Sequence, residues 1–401
     1  MIYSATFYHF DSPMKLQLSL KEGRGLFSPL KGQCRKNLIQ DYVEILNSGE
    51  VPIVVNSKLP KLVKEEMILK IKSHFDANEL GHILCTSGTT SDPKSYFFKI
   101  ENALANAKAH NKSLGLRGGE KVLFPLPITH SFGIVVGILA SLDLKSDTYF
   151  LEETDSVLEV LNILKKQKFD ILYLTPSLLR QLNRFIKRNS QELIAPRKIS
   201  IGSSSLLYED LETIKQAFPE SEIFYTYGLT EMGPRVSTFK VDSLRVGRIP
   251  IGLALDGIEW KVTDRLLIKS PYSAIEYQNQ FFDSSDKVEK VEENLYITGR
   301  LDDIIIYQGI NINPLEIEQL LKSINVDAVV IGATSEMYGE VPIMVLEESS
   351  IPSVDQEKIF EFLKIKLPES HIPKKIVTIQ KFDRTEMGKI QRSKIKSSLE
   401  F

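Results

Sequence analysis

Short apolar runs alternate along this chain with stretches of helical spacing. Pro52-Ile53-Val54-Val55 and Ile171-Leu172-Tyr173-Leu174 predict buried strands, and residues 156–166 carry apolar side chains at helical intervals. Alternation of this kind predicts an α/β fold, with helices layered on largely parallel sheets. From 249 to 296 the pattern changes to short strands and turns, among them Trp260-Lys261-Val262-Thr263 and Leu266-Leu267-Ile268-Lys269. That predicts a small β-rich unit. Beyond Arg300, Ile304-Ile305-Ile306 predicts a strand, 314–322 a helix with proline in its first turn, and Ala328-Val329-Val330-Ile331 another strand. No internal repeat or low-complexity linker intervenes. The expected organisation is a large unit, 1–300, and a compact small α+β unit, 301–401, meeting at a tight hinge near 300–303.

Composition narrows the functional classes. A chain of 401 residues with 42% hydrophobic and 25% charged residues is long enough for two or three domains with a large core. A net charge of -2 gives no general attraction to nucleic acid or to an anionic membrane. With Cys34 and Cys85 as the two cysteines, neither a disulfide framework nor a cysteine-based zinc site is expected, which suits a reducing compartment. Met1-Ile2-Tyr3-Ser4 opens no signal-like segment, and the longest apolar stretch, 132–142, is too short to span a bilayer. A cytoplasmic location is the expectation. The end of the chain is basic: residues 364–396 hold ten Lys/Arg against three Asp/Glu.

Candidate chemistry concentrates in a few segments. Cys85-Thr86-Ser87-Gly88-Thr89-Thr90-Ser91-Asp92-Pro93-Lys94 is a hydroxyl-rich loop after an apolar run, with one glycine and one lysine. Such a loop can turn hydroxyls and backbone N–H groups on phosphate oxygens. It lacks the Gly-Lys-Ser/Thr of a Walker A loop, and by itself it could equally be a polar surface turn. Tyr225-Thr226-Tyr227-Gly228-Leu229-Thr230-Glu231-Met232-Gly233 joins aromatic, glycine, hydroxyl and carboxylate within nine positions. Thr298-Gly299-Arg300-Leu301-Asp302-Asp303 follows, then Gly309, then Thr385-Glu386-Met387-Gly388-Lys389-Ile390-Gln391-Arg392.

In order and rough spacing these segments resemble the adenylate-forming superfamily: acyl-CoA synthetases, peptide-synthetase adenylation domains and luciferases. The likeness runs from about Asp41, where Leu46-Asn47-Ser48-Gly49-Glu50-Val51-Pro52 resembles the family's early helix-to-strand turn, to Lys396. It implies activation of a carboxylic acid by MgATP to an acyl-adenylate, with pyrophosphate released and the acyl group then passed to a thiol. That chemistry forces two anions together, so catalysis by positioning and charge neutralisation suffices, with no protein nucleophile.

The resemblance also implies roles. Thr86, Ser87, Gly88, Thr89, Thr90 and Lys94 would hold the β- and γ-phosphates. Thr230 would touch the α-phosphate, and Glu231 would hold Mg²⁺, a hard cation suited to carboxylate oxygen. Tyr227 would stack on adenine, with Gly228 admitting the ring. Gly202, Ser203, Ser204, Ser205 and Leu206 stand where the family carries a Gly-Ala-Pro-type loop. Together with Pro127, His130, Phe132, Gly133, Thr226 and Gly233 they would frame the acyl pocket. His130 could gate that pocket or be an ordinary core histidine. Asp286 aligns with the ribose carboxylate, with Asp283 as its competitor, and Arg300 would bind ribose or phosphate. Lys389 is the expected catalytic lysine, bridging substrate carboxylate and phosphate. Asp302 is the expected hinge, about which Gly309 would replace Lys389 and line the pantetheine passage.

The chain also departs from the pattern. Ser91 replaces a usual glycine, Asp92 puts a carboxylate beside a polyanion site, and the phosphate loop comes early, which implies a shortened first subdomain. The cofactors implied are ATP, Mg²⁺ and coenzyme A. Three readings stay open: transfer to CoA, transfer to a carrier-protein phosphopantetheine in polyketide or related secondary metabolism, or a non-catalytic nucleotide-binding scaffold. The acid is not specified, nor is the oligomeric state, a homodimer being one arrangement that could complete the shortened region.

Overall fold

The computed structural model describes residues 2–9, 12–24, 26–31, 34–55, 61–75, 79–85, 94–152, 157–189, 192–324, 326–335, 339–348 and 356–399. Its largest sheet runs, edge to edge, Leu253–Ala254, Ser237–Val241, Glu222–Tyr227, Lys198–Gly202, Ile171–Leu174, Lys121–Phe124, Asp147–Phe150, Ile2–His9, Ser12–Ser19. From Ile2–His9 through Glu222–Tyr227 every neighbour pair is parallel, and antiparallel strands close both edges. The fold is the expected α/β type. The strand Ile171–Leu174 is fully buried, as its unbroken apolar run requires of a strand covered on both faces.

A second sheet pairs Phe27–Pro29, Val51–Val54, Gly81–Cys85 and Ser95–Lys99. The helix Arg35–Ser48 ends at Gly49, whose φ is +82°, and the chain enters the strand at Val51. Val54, Leu84 and Phe98 of this sheet share one core cluster with Phe7 and Leu18 of the large one. The apolar stretch 132–142 becomes a wide helical turn, Gly133–Leu139, buried at all seven positions and continued by Ala140–Leu144. Among the described residues no helix is long and apolar enough to cross a membrane.

The β-rich segment forms two small sheets, Glu259–Val262 with Leu266–Lys269 and Phe282–Asp283, and Asp286–Val291 with Asn294–Arg300. After Arg300 the strands Ile305–Tyr307, Ile310–Ile312, Ala328–Ser335, Gly339–Glu347 and Lys375–Ile379 make a separate five-stranded sheet. The helix Pro314–Ser323 packs on it, and the Asn313 side chain caps that helix by accepting from the Leu315 N–H at 3.2 Å. Of the six predicted strands, three begin where expected, at Ile171, Leu266 and Ala328, and three begin one residue earlier or later, at Val51 for Pro52, Glu259 for Trp260 and Ile305 for Ile304. Apolar pattern locates a strand, but the ladder partner decides where hydrogen bonding starts.

Candidate active site

Several parallel strands end at one edge of the large sheet, where crevices form beyond the carboxyl ends. Lys198–Gly202 delivers Gly202 and then Ser203, a non-glycine residue at φ +95°. Backbone held there costs on the order of 1–3 kcal/mol, and such strain gathers at ligand sites. Glu222–Tyr227 delivers Thr226 and Tyr227, Lys121–Phe124 leads to His130, and Ile171–Leu174 leads to Ser177. Across the gap stand Arg300 and the turn that carries Lys389. Between them lies a cavity of about 360 Å³ lined by Ser203, Ser204, Ser205, Thr226, Tyr227, Gly228, Asp286, Arg300 and Lys389.

Asp286 is the hub of this cavity. It is 5% exposed, takes the Tyr227 hydroxyl on Oδ2 at 2.6 Å, and takes Arg300 Nη1 on Oδ1 at 3.0 Å. Burial pushes its carboxyl pKa up, while Arg300, Tyr227 and Lys389 pull it back. Arg300 also reaches Asp302 at 2.9 Å. Asp283 points elsewhere: it is exposed and paired with Arg265 at 2.9 Å.

Lys389 sits on a turn closed by Thr385 N–H to Lys389 O and Gly388 N–H to Thr385 O, both at 2.8 Å. Its own N–H donates to Thr385 Oγ1 at 3.1 Å. The turn is anchored in the crevice: Thr129 Oγ1 donates to Glu386 Oε2 at 2.8 Å, and Met387 is buried among Phe124, Phe132 and Tyr173. The Lys389 side chain remains accessible from the open cavity, yet protein surrounds it closely enough that desolvation, then the Arg300 charge, lower its pKa.

Glu231 is half-buried and takes the Tyr96 hydroxyl on Oε1 at 3.2 Å; the neighbouring Thr230 hydroxyl meets Ser131 Oγ at 2.9 Å. Among the described residues no group of three or more His, Cys, Asp or Glu could hold a metal without other ligands. His130 Nδ1 accepts the Phe132 N–H at 3.2 Å, so a neutral ring carries its proton on Nε2. Burial, then the charges of Arg235 and Lys389, lower its pKa to about 4, which keeps it neutral at pH 7.

Other expected site residues are placed differently. Phe132, Gly133, Gly202 and Gly233 are buried in the packing behind the cavity wall. Pro127 lines a neighbouring cavity of about 600 Å³ on the far side of the Lys389 turn, with Ser177 and Gly388. Gly309 tops an exposed hairpin turn away from the cavity, and Asp302 lies in the exposed short helical turn Leu301–Asp303. Thr86, Ser87, Gly88, Thr89, Thr90, Ser91 and Asp92 lie outside the described residues; Lys94 is exposed just before the strand Ser95–Lys99. Sequence reasoning missed Met387 as the anchor of the lysine turn. It also missed Arg235, whose one local signal is a basic residue four positions after Glu231 in Met232-Gly233-Pro234-Arg235.

The sequence pattern of the AMP-binding enzymes matches residues 32–269, more than half of the chain. The protein is an AMP-binding enzyme by family. Among relatives of this AMP-binding protein, the putative acyl-CoA synthetase YngI of Bacillus subtilis is 24% identical over 367 residues, covering 84% of this chain and 67% of the relative. A 2-succinylbenzoate–CoA ligase of Listeria monocytogenes is 28% identical over 346 residues, covering 80% of this chain and 71% of its own. Two solved structures share the fold. ATP-bound MatB from Rhodopseudomonas palustris superposes with a TM-score of 0.79 at 19% identity, covering 94% of this chain and 89% of MatB. MenE from Bacillus subtilis, bound to the acyl-adenylate OSB-AMP, gives 0.76 at 20% identity, covering 94% and 88%.

Proposed function

We propose that this AMP-binding enzyme activates a carboxylic acid with ATP to an acyl-adenylate, releases pyrophosphate, and transfers the acyl group to the thiol of coenzyme A. The observation that carries this reading is the convergence of Asp286, Arg300 and Lys389 with the Tyr227 strand end on one cavity, from segments up to 162 residues apart in the sequence. The relatives named acyl-CoA synthetase and CoA ligase support the same reaction class.

Each residue has a chemical task in that reading. Asp286, held between Tyr227 and Arg300, accepts hydrogen bonds from the ribose diol, while Tyr227 and the Ser203–Ser205 loop border adenine. Lys389 lies between the acid's carboxylate and the α-phosphate, where attack by the carboxylate oxygen expels pyrophosphate and charge builds on phosphorus oxygens. Thr230 faces that phosphate, and the 86–94 loop takes the outer two. Mg²⁺ fits Glu231 in one way: a single accessible carboxylate beside substrate phosphates, the usual manner of holding a hard cation that keeps most of its own waters. The 301–401 segment is the mobile unit, turning at Asp302 to bring Gly309 to the pantetheine path.

The test is pyrophosphate release from MgATP over a carboxylic acid panel, with and without CoA, and mass spectrometry of the thioester. Acid-dependent release with CoA consumed supports the proposal. Release without CoA consumption redirects the second step to a carrier-protein phosphopantetheine, and no acid-dependent release leaves a nucleotide-binding scaffold instead.

A further inference from the structure

We infer that the acid this enzyme activates carries a second carboxylate, received by Arg235; the inference rests on the acyl-adenylate reading above. Arg235 is 3% exposed, and its guanidinium carbon lies 4.0 Å from the centre of the Phe132 ring. Nη1 donates to Thr226 Oγ1 at 2.6 Å, and Nε is buried with no hydrogen-bond partner among the described residues. Among the described residues no carboxylate pairs with it. The groups that feel its charge are His110, His130, Tyr173 and Tyr225, all buried deeply enough to stay neutral near pH 7. Among the described residues, both His110 ring nitrogens also lack hydrogen-bond partners.

A lone buried cation is expensive, because desolvation of an ion costs several kcal/mol unless charge and hydrogen bonds replace its water. Phe132 and Thr226 supply part of that replacement and no negative charge. Burial lowers the guanidinium pKa to about 9, so the group remains charged at pH 7 and the deficit persists. A protein can carry such a deficit when the missing anion arrives with the ligand. The planar guanidinium is also the side chain best matched to a carboxylate, through two parallel charge-assisted hydrogen bonds.

The position of Arg235 makes the ligand the source of that anion. Thr226, its hydrogen-bond partner, lines the nucleotide cavity. Gly202, at the root of the serine loop, packs directly on this pair, since a Cβ there would fall 2.4 Å from Thr226 Oγ1 and 2.8 Å from Arg235 Nη1. His130 feels both Arg235 and Lys389, so the two cations stand within electrostatic reach of one side chain. An acid with one carboxylate at Lys389 and another beyond the Thr226–Gly202 wall would satisfy both. A plain monoacid would leave the guanidinium uncompensated in a closed site.

The experiment compares kcat/KM for adenylation of dicarboxylates with that of monoacids matched in chain or ring size, in wild type, Arg235→Met and Arg235→Lys. We expect a preference of about 100-fold or more for a dicarboxylate in wild type, its loss in Arg235→Met with monoacid activity kept or raised, and partial retention in Arg235→Lys. Thermal melting adds a readout that needs no turnover. Dicarboxylates should raise the Tm of wild type and not of Arg235→Met, and the ligand-free Met variant should melt at or above wild type because an unpaired charge is gone. A wild-type enzyme that turns over monoacids as well as dicarboxylates overturns the inference and leaves the proposed reaction standing. Failure to turn over any acid overturns the reaction itself, and the absence of any Tm rise with dicarboxylates then rejects the Arg235 site too. If Arg235→Met does not fold, the wild-type preference and Arg235→Lys decide between the same outcomes.

Discussion

Replacing Lys389 with alanine should separate the two half-reactions. The ammonium is pre-positioned by the Thr385–Lys389 turn and by burial of Met387, so it needs no rearrangement when charge develops on the α-phosphate. Removing one such donor costs about 2.7–4 kcal/mol of transition-state stabilisation, a factor of about 10²–10³ in rate. Arg300 supplies a second cation to the same cavity, which places the expected loss near the lower figure, about 10²-fold. Rapid-quench measurement of acyl-adenylate formation should show that loss, while transfer to CoA from a supplied acyl-adenylate should change by less than about threefold. The pH profile adds a second check. Desolvation, then Arg300, lower the ammonium pKa, so wild-type adenylation should begin to fall with rising pH below the ordinary lysine range near 10.4. Lys389→Ala should lack that alkaline limb. Equal losses in both half-reactions would refute the assignment of Lys389 to adenylation alone.

Three further outcomes follow from particular contacts. Asp286→Ala should weaken ATP binding at least tenfold by calorimetry while Asp283→Ala leaves it within about twofold, because only Asp286 faces the cavity; the reverse order would move the ribose site to Asp283. Asp302→Pro should keep pyrophosphate release and abolish thioester formation, since proline fixes φ at the turn about which the 301–401 segment is proposed to rotate. Wild-type thioester synthesis in that variant would dismiss the rotation. His82 is fully buried, with Nδ1 on the Tyr42 hydroxyl at 2.7 Å, and burial lowers its pKa to about 3. The unfolded chain binds that proton from pH 6.5 downward and the folded one does not, so stability should fall as pH drops through that window, by about 1.4 kcal/mol per unit at most for this group. In urea melts His82→Gln should lessen the pH slope between 6 and 4.5 by up to one proton, and an unchanged slope would mean that His82 is not the group responsible.

Much of the framework was legible in the chain because its causes are local. Unbroken apolar runs such as Ile171–Leu174 need cover on both faces and so read as central strands. Pro314 at the head of a helical pattern announces a helix start, and Tyr227-Gly228-Leu229-Thr230-Glu231 joins aromatic, glycine, hydroxyl and carboxylate within five residues. What stayed hidden depends on closure over long distances. Nothing local says that the hairpin Ile2–His9 and Ser12–Ser19 extends the large sheet beside Asp147–Phe150. The sequence aligns Asp286 with the ribose carboxylate but leaves Asp283, three residues away, as its competitor. What the structure adds is their different burial: with Ser285 at φ +57° between them, Asp283 pairs with Arg265 at the surface and Asp286 lies against Tyr227 inside. Arg235 is the sharpest case: it is one of fifty basic residues and carries no motif that would single it out. Only packing by Phe132, Thr226 and the strand ends shows it buried, with no carboxylate paired to it among the described residues. Periodicity and motif chemistry act over a few residues. Which charges end up desolvated, and which lack a partner, is set by where distant strands bring the chain together.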